Sequence, residues 1–342
     1  MGLFWIVPFT AYAEEPLPDE MQTILEQPGI TSEEFQSMGL TQLIERIKGL
    51  LKSQNEKPFR LLIRMIGTIL LSAAVLSLVP QSEWQDELET ICILGVFLFS
   101  LEPAFQLASK IGECILEWRN YLASFVPVFS GVLISCGQPG QAAVYSGMFL
   151  TMAIFSAQLI ATVIMPVLQV YIALNTASGI CKVGGLSDGC AFLTKTIKWV
   201  LGLLSILFSA VLGLQSALAL TTDNLAMKTG RFLINNGVPL VGRMASEAMG
   251  SVLCSLKVLK GSLGFAAIAF LSIAFIPILL QSIGYQMTYY LGSISAKAFG
   301  LTRIGKLLEG LGQAIGICIS FLVFFFILIV LSTALMILLG GS

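Results

Sequence analysis

Apolar residues occur in this chain in long continuous blocks separated by short polar intervals. Leu61 to Val79 carries a single charge, Arg64 near its start, and approaches the roughly 20 apolar residues needed to cross a hydrocarbon core. The long Arg64 stem can carry its guanidinium to the headgroups. A second block runs from Thr90 to Ile111 and contains Glu102-Pro103. Tyr121 to Cys136 follows with Pro127 inside it, then Ala142 to Ala177 interrupted by Pro166, then Ile197 to Leu220. Ser262 to Leu291, interrupted by Pro277, and Leu311 to Leu339 complete the set. The pattern predicts an all-α, polytopic integral membrane helical bundle with about six to eight spanning helices, several of them broken by proline. Each proline-interrupted stretch reads either as one kinked helix or as a tight hairpin.

The N-terminal region differs. Met1 to Thr10 is a brief apolar run followed by Ala11-Tyr12-Ala13 and then Glu14-Glu15, the small-x-small form of a signal-peptidase site without a basic region ahead of it. A truncated signal peptide, an upstream start and an anchor remnant all fit residues 1–13. Residues 14–59 form a polar extramembrane arm that holds nine of the 20 acidic residues. Within it Thr31 and Glu34 have capping-box spacing, and Leu40, Leu43, Ile44, Ile47, Leu50 and Leu51 share one helical face, predicting an amphipathic helix. A cleaved signal would place the arm outside the cytoplasm. The all-acidic linker Glu83, Asp86, Glu87, Glu89 and the basic Lys57 and Arg60 on the other side of the first span point the opposite way.

Composition narrows the function. The chain is 56% hydrophobic and 11% charged, against about a quarter charged in soluble domains, so this surface cannot be hidden from water by folding alone. Nineteen basic against 20 acidic residues leave no field that would attract nucleic acid. Histidine is absent, which removes the commonest general base and metal ligand. Cys92, Cys114, Cys136, Cys181, Cys190, Cys254 and Cys318 show no metal spacing and read as small apolar fillers. No phosphate-binding loop and no nucleophile with a base occurs, so the expectation is a non-enzymatic protein without cofactor or metal.

Two segments can be laid over each other. Val126-Pro127-Val128 matches Val238-Pro239-Leu240, Met165-Pro166-Val167-Leu168-Gln169 matches Ile276-Pro277-Ile278-Leu279-Leu280-Gln281, and Ser216-Ala217-Leu218 matches Thr333-Ala334-Leu335. The alternative is coincidence among helices of similar composition. A real repeat divides the membrane region into two leading helices over 60–118, a first repeat over 119–223 and a second over 231–342, with a site or passage between the halves.

Glu102 stands in an apolar block, where a carboxylate usually faces a partner, a cavity or a pathway, although Pro103 beside it also fits a helix end at an interface. Glu113, Glu117 and Arg119 read as a solvated connecting stretch. Residues 221–260 concentrate charges and amides, including Asp223, Lys228, Asn235, Asn236, Glu247 and Lys260, and are the candidate conduit wall or protein contact; a simple re-entrant or interfacial segment is the alternative. The candidate conduit or assembly residues are thus Glu102, Asp223, Lys228, Gly242 and Glu247, with the prolines Pro127, Pro166, Pro239 and Pro277. Gly202, Gly213, Gly261, Gly264, Gly312 and Gly316 read as close helix contacts.

Phe125-Val126-Pro127-Val128 to Gly137, Pro166, Lys198-Trp199, Asp223, Lys228, Phe232 and Val238-Pro239-Leu240-Val241-Gly242 together resemble the stage III sporulation protein AE family. The resemblance implies a component of the mother-cell membrane around the forespore, within a channel-like complex that connects the two cells of an endospore-forming bacterium. It also implies partners: other stage III sporulation A-type membrane and ring proteins and a cytoplasmic ATPase. A stand-alone secondary transporter built on the two repeats, and a passive anchor, are the competing expectations.

Overall fold

The computed structural model describes residues 56–78, 85–180, 184–237 and 242–338, with side chains placed at 57–78, 87–180, 185–214, 217, 255 and 258–338. The signal-like segment, residues 14–55 of the polar arm and Pro239 lie outside the described residues, as do the side chains of Asp223, Lys228 and Glu247, while residues 56–59 are helical.

The apolar blocks become helices because a backbone in hydrocarbon must bond to itself. They are α1 (Glu56–Leu78), α2 (Gln85–Ser135), α3 (Pro139–Val144), α4 (Leu150–Leu159), α5 (Met165–Ile180), α6 (Gly184–Gly237), α7 (Gly242–Ala298) and α8 (Thr302–Leu338). Two π-helical turns, Tyr145–Phe149 and Ile160–Ile164, join α3 to α4 and α4 to α5 into one long rod. Among the described residues six helices are long and apolar enough to cross a membrane, Pro139–Ile180 being one of them, and the chain is a multi-pass membrane protein.

The prolines do not divide these helices. Pro103 and Pro127 lie inside α2 and Pro277 inside α7, both continuous. Close to Pro103 the Tyr289 hydroxyl donates to the Ser100 carbonyl at 2.5 Å, tying α7 to α2. Pro166 comes just after the second π turn, where the Met165 N–H bonds to the Ile160 carbonyl five residues back. The wider turn gives the pyrrolidine ring room against the preceding turn. Among the described residues two reversals fall at glycines instead. Gly137 (φ +77°) and Gly300 (φ +80°) adopt the left-handed conformation that closes a helix. At the first, Gly137 N–H bonds to Ile134 and Gln138 N–H to Leu133; at the second, Gly300 N–H bonds to Lys297 and Leu301 N–H to Ala296. Both are Schellman closures. Pro139 then opens α3 at its first turn, where a missing N–H costs nothing.

Register is fixed by the contacts. α2 and α7 are antiparallel, with Ser100 level with Tyr289, Lys110 with Gln281 and Trp118 with Phe275. α8 runs parallel to α2, since Glu89 meets Arg303 and Trp118 stacks on Phe325. The middle of the core is aromatic: Trp118, Phe275, Phe325 and Phe326 interlock across α2, α7 and α8, and Phe129, Tyr145 and Phe149 continue the layer. Glycines allow the closest approaches. A Cβ at Gly264 would lie 2.5 Å from Ile337 Cδ1, one at Gly316 2.6 Å from Gln286 Nε2 and one at Gly312 3.3 Å from Tyr290. Gly202, Gly213 and Gly261 have nothing within 4 Å and make no such contact.

The helices are longer than a bilayer is thick. At 1.5 Å per residue the 51 residues of α2 extend about 76 Å, against about 30 Å of hydrocarbon. Tilt alone would have to reach about 65°, beyond the roughly 0–40° of spanning helices, so part of α2 lies outside the hydrocarbon.

Candidate functional site

Helical continuity through residues 102–120 creates a feature that a loop there would not have. Glu102, Gln106, Lys110, Glu113, Glu117 and Asn120 are spaced by four, four, three, four and three residues, which keeps them on one face of α2. All six are exposed. The three carboxylates extend over about 22 Å from Glu102 to Glu117. On the same face the stripe is preceded by exposed Ile91, Leu94 and Leu98 and followed by exposed Val128 and Ile134. Glu113, Glu117 and Arg119, expected in a connecting stretch, therefore belong to a helix, because no breaker interrupts the apolar 3.6-residue period of Ile111, Ile115, Trp118 and Leu122 on the buried face.

The stripe is only partly satisfied from within. Glu102 Oε1 accepts from Gln106 Nε2 at 2.9 Å, and Lys110 Nζ donates to Gln281 Oε1 at 3.0 Å. Arg119 donates to Gln158 Oε1 at 2.6 Å and to Asn120 Oδ1 at 2.9 Å, joining α4 to the polar face. Glu113 and Glu117 receive no hydrogen bond or ion pair from the described residues, and at i,i+4 they repel each other. An ionised carboxylate facing lipid costs several kcal/mol, so this face meets water or protein.

A second polar cluster lies inside the far end of the bundle. Lys260 is 2% exposed and donates to Gln138 Oε1 at 2.8 Å, with buried Gln141 in the same turn region. A buried ammonium needs such a partner. Replacing Gln138 by leucine is expected to lower stability by about 1.5–3 kcal/mol, read as a fall in apparent Tm of the detergent-solubilised chain; an unchanged Tm would show that the remaining contacts of Lys260 suffice. Within the 221–260 segment Lys260 faces inward, whereas Val258 and Leu259 beside it are exposed.

The remaining candidates do not converge on one point. Glu102 and Pro127 sit on one helix about 37 Å apart. Pro166 adjoins Met165, which packs on Gly112, and Pro277 lies two residues beyond Phe275, which packs on Trp118. Asp223 and Lys228 lie in α6 and Gly242 and Glu247 in α7 by backbone alone. Among the described residues no three His, Cys, Asp or Glu side chains stand together to hold a metal, and none of Cys92, Cys114, Cys136, Cys190 and Cys318 forms a disulfide. Gln106, Lys110 and Asn120 were not singled out by sequence reasoning; their spacing with Glu102 was the signal.

No solved structure matches this chain. A Bacillus subtilis (strain 168) protein named stage III sporulation protein AE is 23% identical over 215 residues, which are 61% of this chain and 54% of that protein, so the match spans about half the relative's length. The family model described as stage III sporulation protein AE matches residues 22–340, nearly the whole chain, and the chain belongs to that family.

Proposed function

We propose that this chain is a membrane subunit of a multiprotein, channel-like or secretion-like complex that links mother cell and forespore during endospore formation and is needed for forespore development. The observation that carries the reading is the exposed polar stripe of α2. A helix about 76 Å long with Glu102, Glu113 and Glu117 exposed along one face suits a subunit whose outer face is covered by other proteins or by a water-filled passage. Family membership supplies the sporulation context and the expected partners, other stage III sporulation A-type membrane and ring proteins and a cytoplasmic ATPase. The location is then the mother-cell membrane around the forespore. The role is structural or conductive rather than catalytic, consistent with a chain that has no histidine.

The test is deletion of the gene in its spore-forming host, combined with affinity purification from sporulating cells. Sporulation is expected to stop after engulfment, and the tagged chain is expected to bring down membrane and ring proteins of the same set. A normal spore yield, or a chain that purifies alone under mild detergent, would overturn the assignment.

A further inference from the structure

We propose that the cleft between α5, α6 and α8 is a binding site for an anionic phospholipid, with its phosphate headgroup on Lys195, Lys198 and Lys306 and an acyl chain in the apolar recess next to them. The inference goes beyond the assembly role and stands on different residues. The outer cleft has a volume of about 650 Å³ and carries those three lysines with Asn175 and Gln313 on its walls. It adjoins a narrower recess of about 230 Å³, shared through Thr194, Lys198 and Gln313, whose far wall is Leu201, Ile317 and Phe321.

The charge of the cleft is not cancelled from within. Among the described residues Glu309 is its one lining carboxylate, and Glu309 is paired with Lys297 at 2.5 Å. None of Lys195, Lys198 and Lys306 forms an ion pair with a described residue, and all three are exposed. Lys195 and Lys198 stand at i,i+3 on α6 and Lys306 faces them from α8, so a phosphate entering between the helices is met from both sides.

The surroundings select an amphiphile over a free anion. Trp199 is 66% exposed beside Lys198, and Phe192 and Leu203 are exposed on the same helix. Outward tryptophan next to lysine marks the headgroup level of a spanning helix. Beyond the lysines the site continues into the recess walled by Leu201, Ile317 and Phe321, with Tyr290 and Ser320 also on its lining. Basic pockets between spanning helices hold phosphate headgroups in this way.

The full-length chain, purified in a neutral detergent, is titrated with phosphatidylglycerol, with phosphatidylcholine of the same acyl chains, and separately with inorganic phosphate. Bound lipid is read by native mass spectrometry and the apparent Tm is followed in parallel. Phosphatidylglycerol is expected to bind about tenfold more tightly than phosphatidylcholine, and K195Q/K198Q/K306Q to abolish that preference while K195R/K198R/K306R keeps it. Leu201→Trp, which fills the recess, is expected to weaken phosphatidylglycerol binding. Equal binding of the two lipids, or a preference that survives the glutamine variant, overturns the site. Inorganic phosphate that binds as tightly as phosphatidylglycerol and displaces it assigns the lysines to a free anion and overturns the lipid reading. Should the triple variant fail to fold, Lys306→Gln alone decides, since an undiminished preference in it is equally fatal.

Discussion

Replacing Glu113 and Glu117 together by leucine is expected to leave the chain inserted, and more stable in the membrane, while it loses its partners and the host loses its spores. The opposition of the two effects makes the experiment informative. Neither carboxylate is bonded to a described residue, and the two repel at i,i+4, so leucine removes a cost and no internal contact. If the face is covered by protein, two charge-assisted contacts of about 1.5 kcal/mol each disappear, which weakens association by roughly two orders of magnitude. Yield of the chain in membranes, co-purified partners and heat-resistant spore counts are the readouts. A variant that sporulates normally and retains its partners would reduce the stripe to a solvated surface. Glu113→Gln with Glu117→Gln separates charge from size, because the amides keep hydrogen bonding and are expected to give an intermediate loss.

The second large effect is at Gly310. A Cβ there would overlap Asn175 Oδ1, and Asn175 cannot simply turn aside because its Nδ2 donates to the Leu307 carbonyl at 2.9 Å. The Tyr171 hydroxyl donates to the Gly310 carbonyl itself, so α5 and α8 are joined on both sides of the contact. Gly310→Ala is expected to lower stability by about 1–3 kcal/mol, through a lost hydrogen bond and a forced separation of the helices. Gly202→Ala is the control. Nothing lies within 4 Å of its added methyl, and alanine favours the helix by about 1 kcal/mol, so the expected shift in apparent Tm is zero or upward. Equal Tm values for the two variants would refute the packing account.

These two predictions differ in how far the sequence foreshadows them. The polar stripe was readable in outline: positions 102, 106, 110, 113, 117 and 120 have helical spacing, and only the assumption of a connecting stretch hid it. The Gly310 contact was not readable. Gly264 and Gly310 meet side chains on distant helices while Gly202 and Gly261 meet none, and nothing in the local sequence separates the pairs. A glycine records that a close approach is allowed, and only the partner helix makes it necessary.

The prolines show the same division. Their place in the sequence requires a missing N–H at Pro103, Pro127, Pro166 and Pro277, but whether the helix breaks there depends on its neighbours. A π turn opens before Pro166, and α2 and α7 run on through Pro103, Pro127 and Pro277, so none of them becomes a hairpin. The turn at Gly137-Gln138-Pro139, by contrast, is dictated locally, by a residue free to adopt positive φ and, two positions on, one that suits a first helical turn.

Hydrophobic block length and the motif residues were enough to determine an all-helical, multi-pass membrane chain of this family, because burial in lipid is a property of composition over about 20 residues. Tertiary structure alone decided that Lys260 turns inward to Gln138 and that Lys195, Lys198 and Lys306 share one cleft. Those outcomes depend on residues more than 100 positions apart being brought together, and no local pattern encodes which faces of the helices will meet.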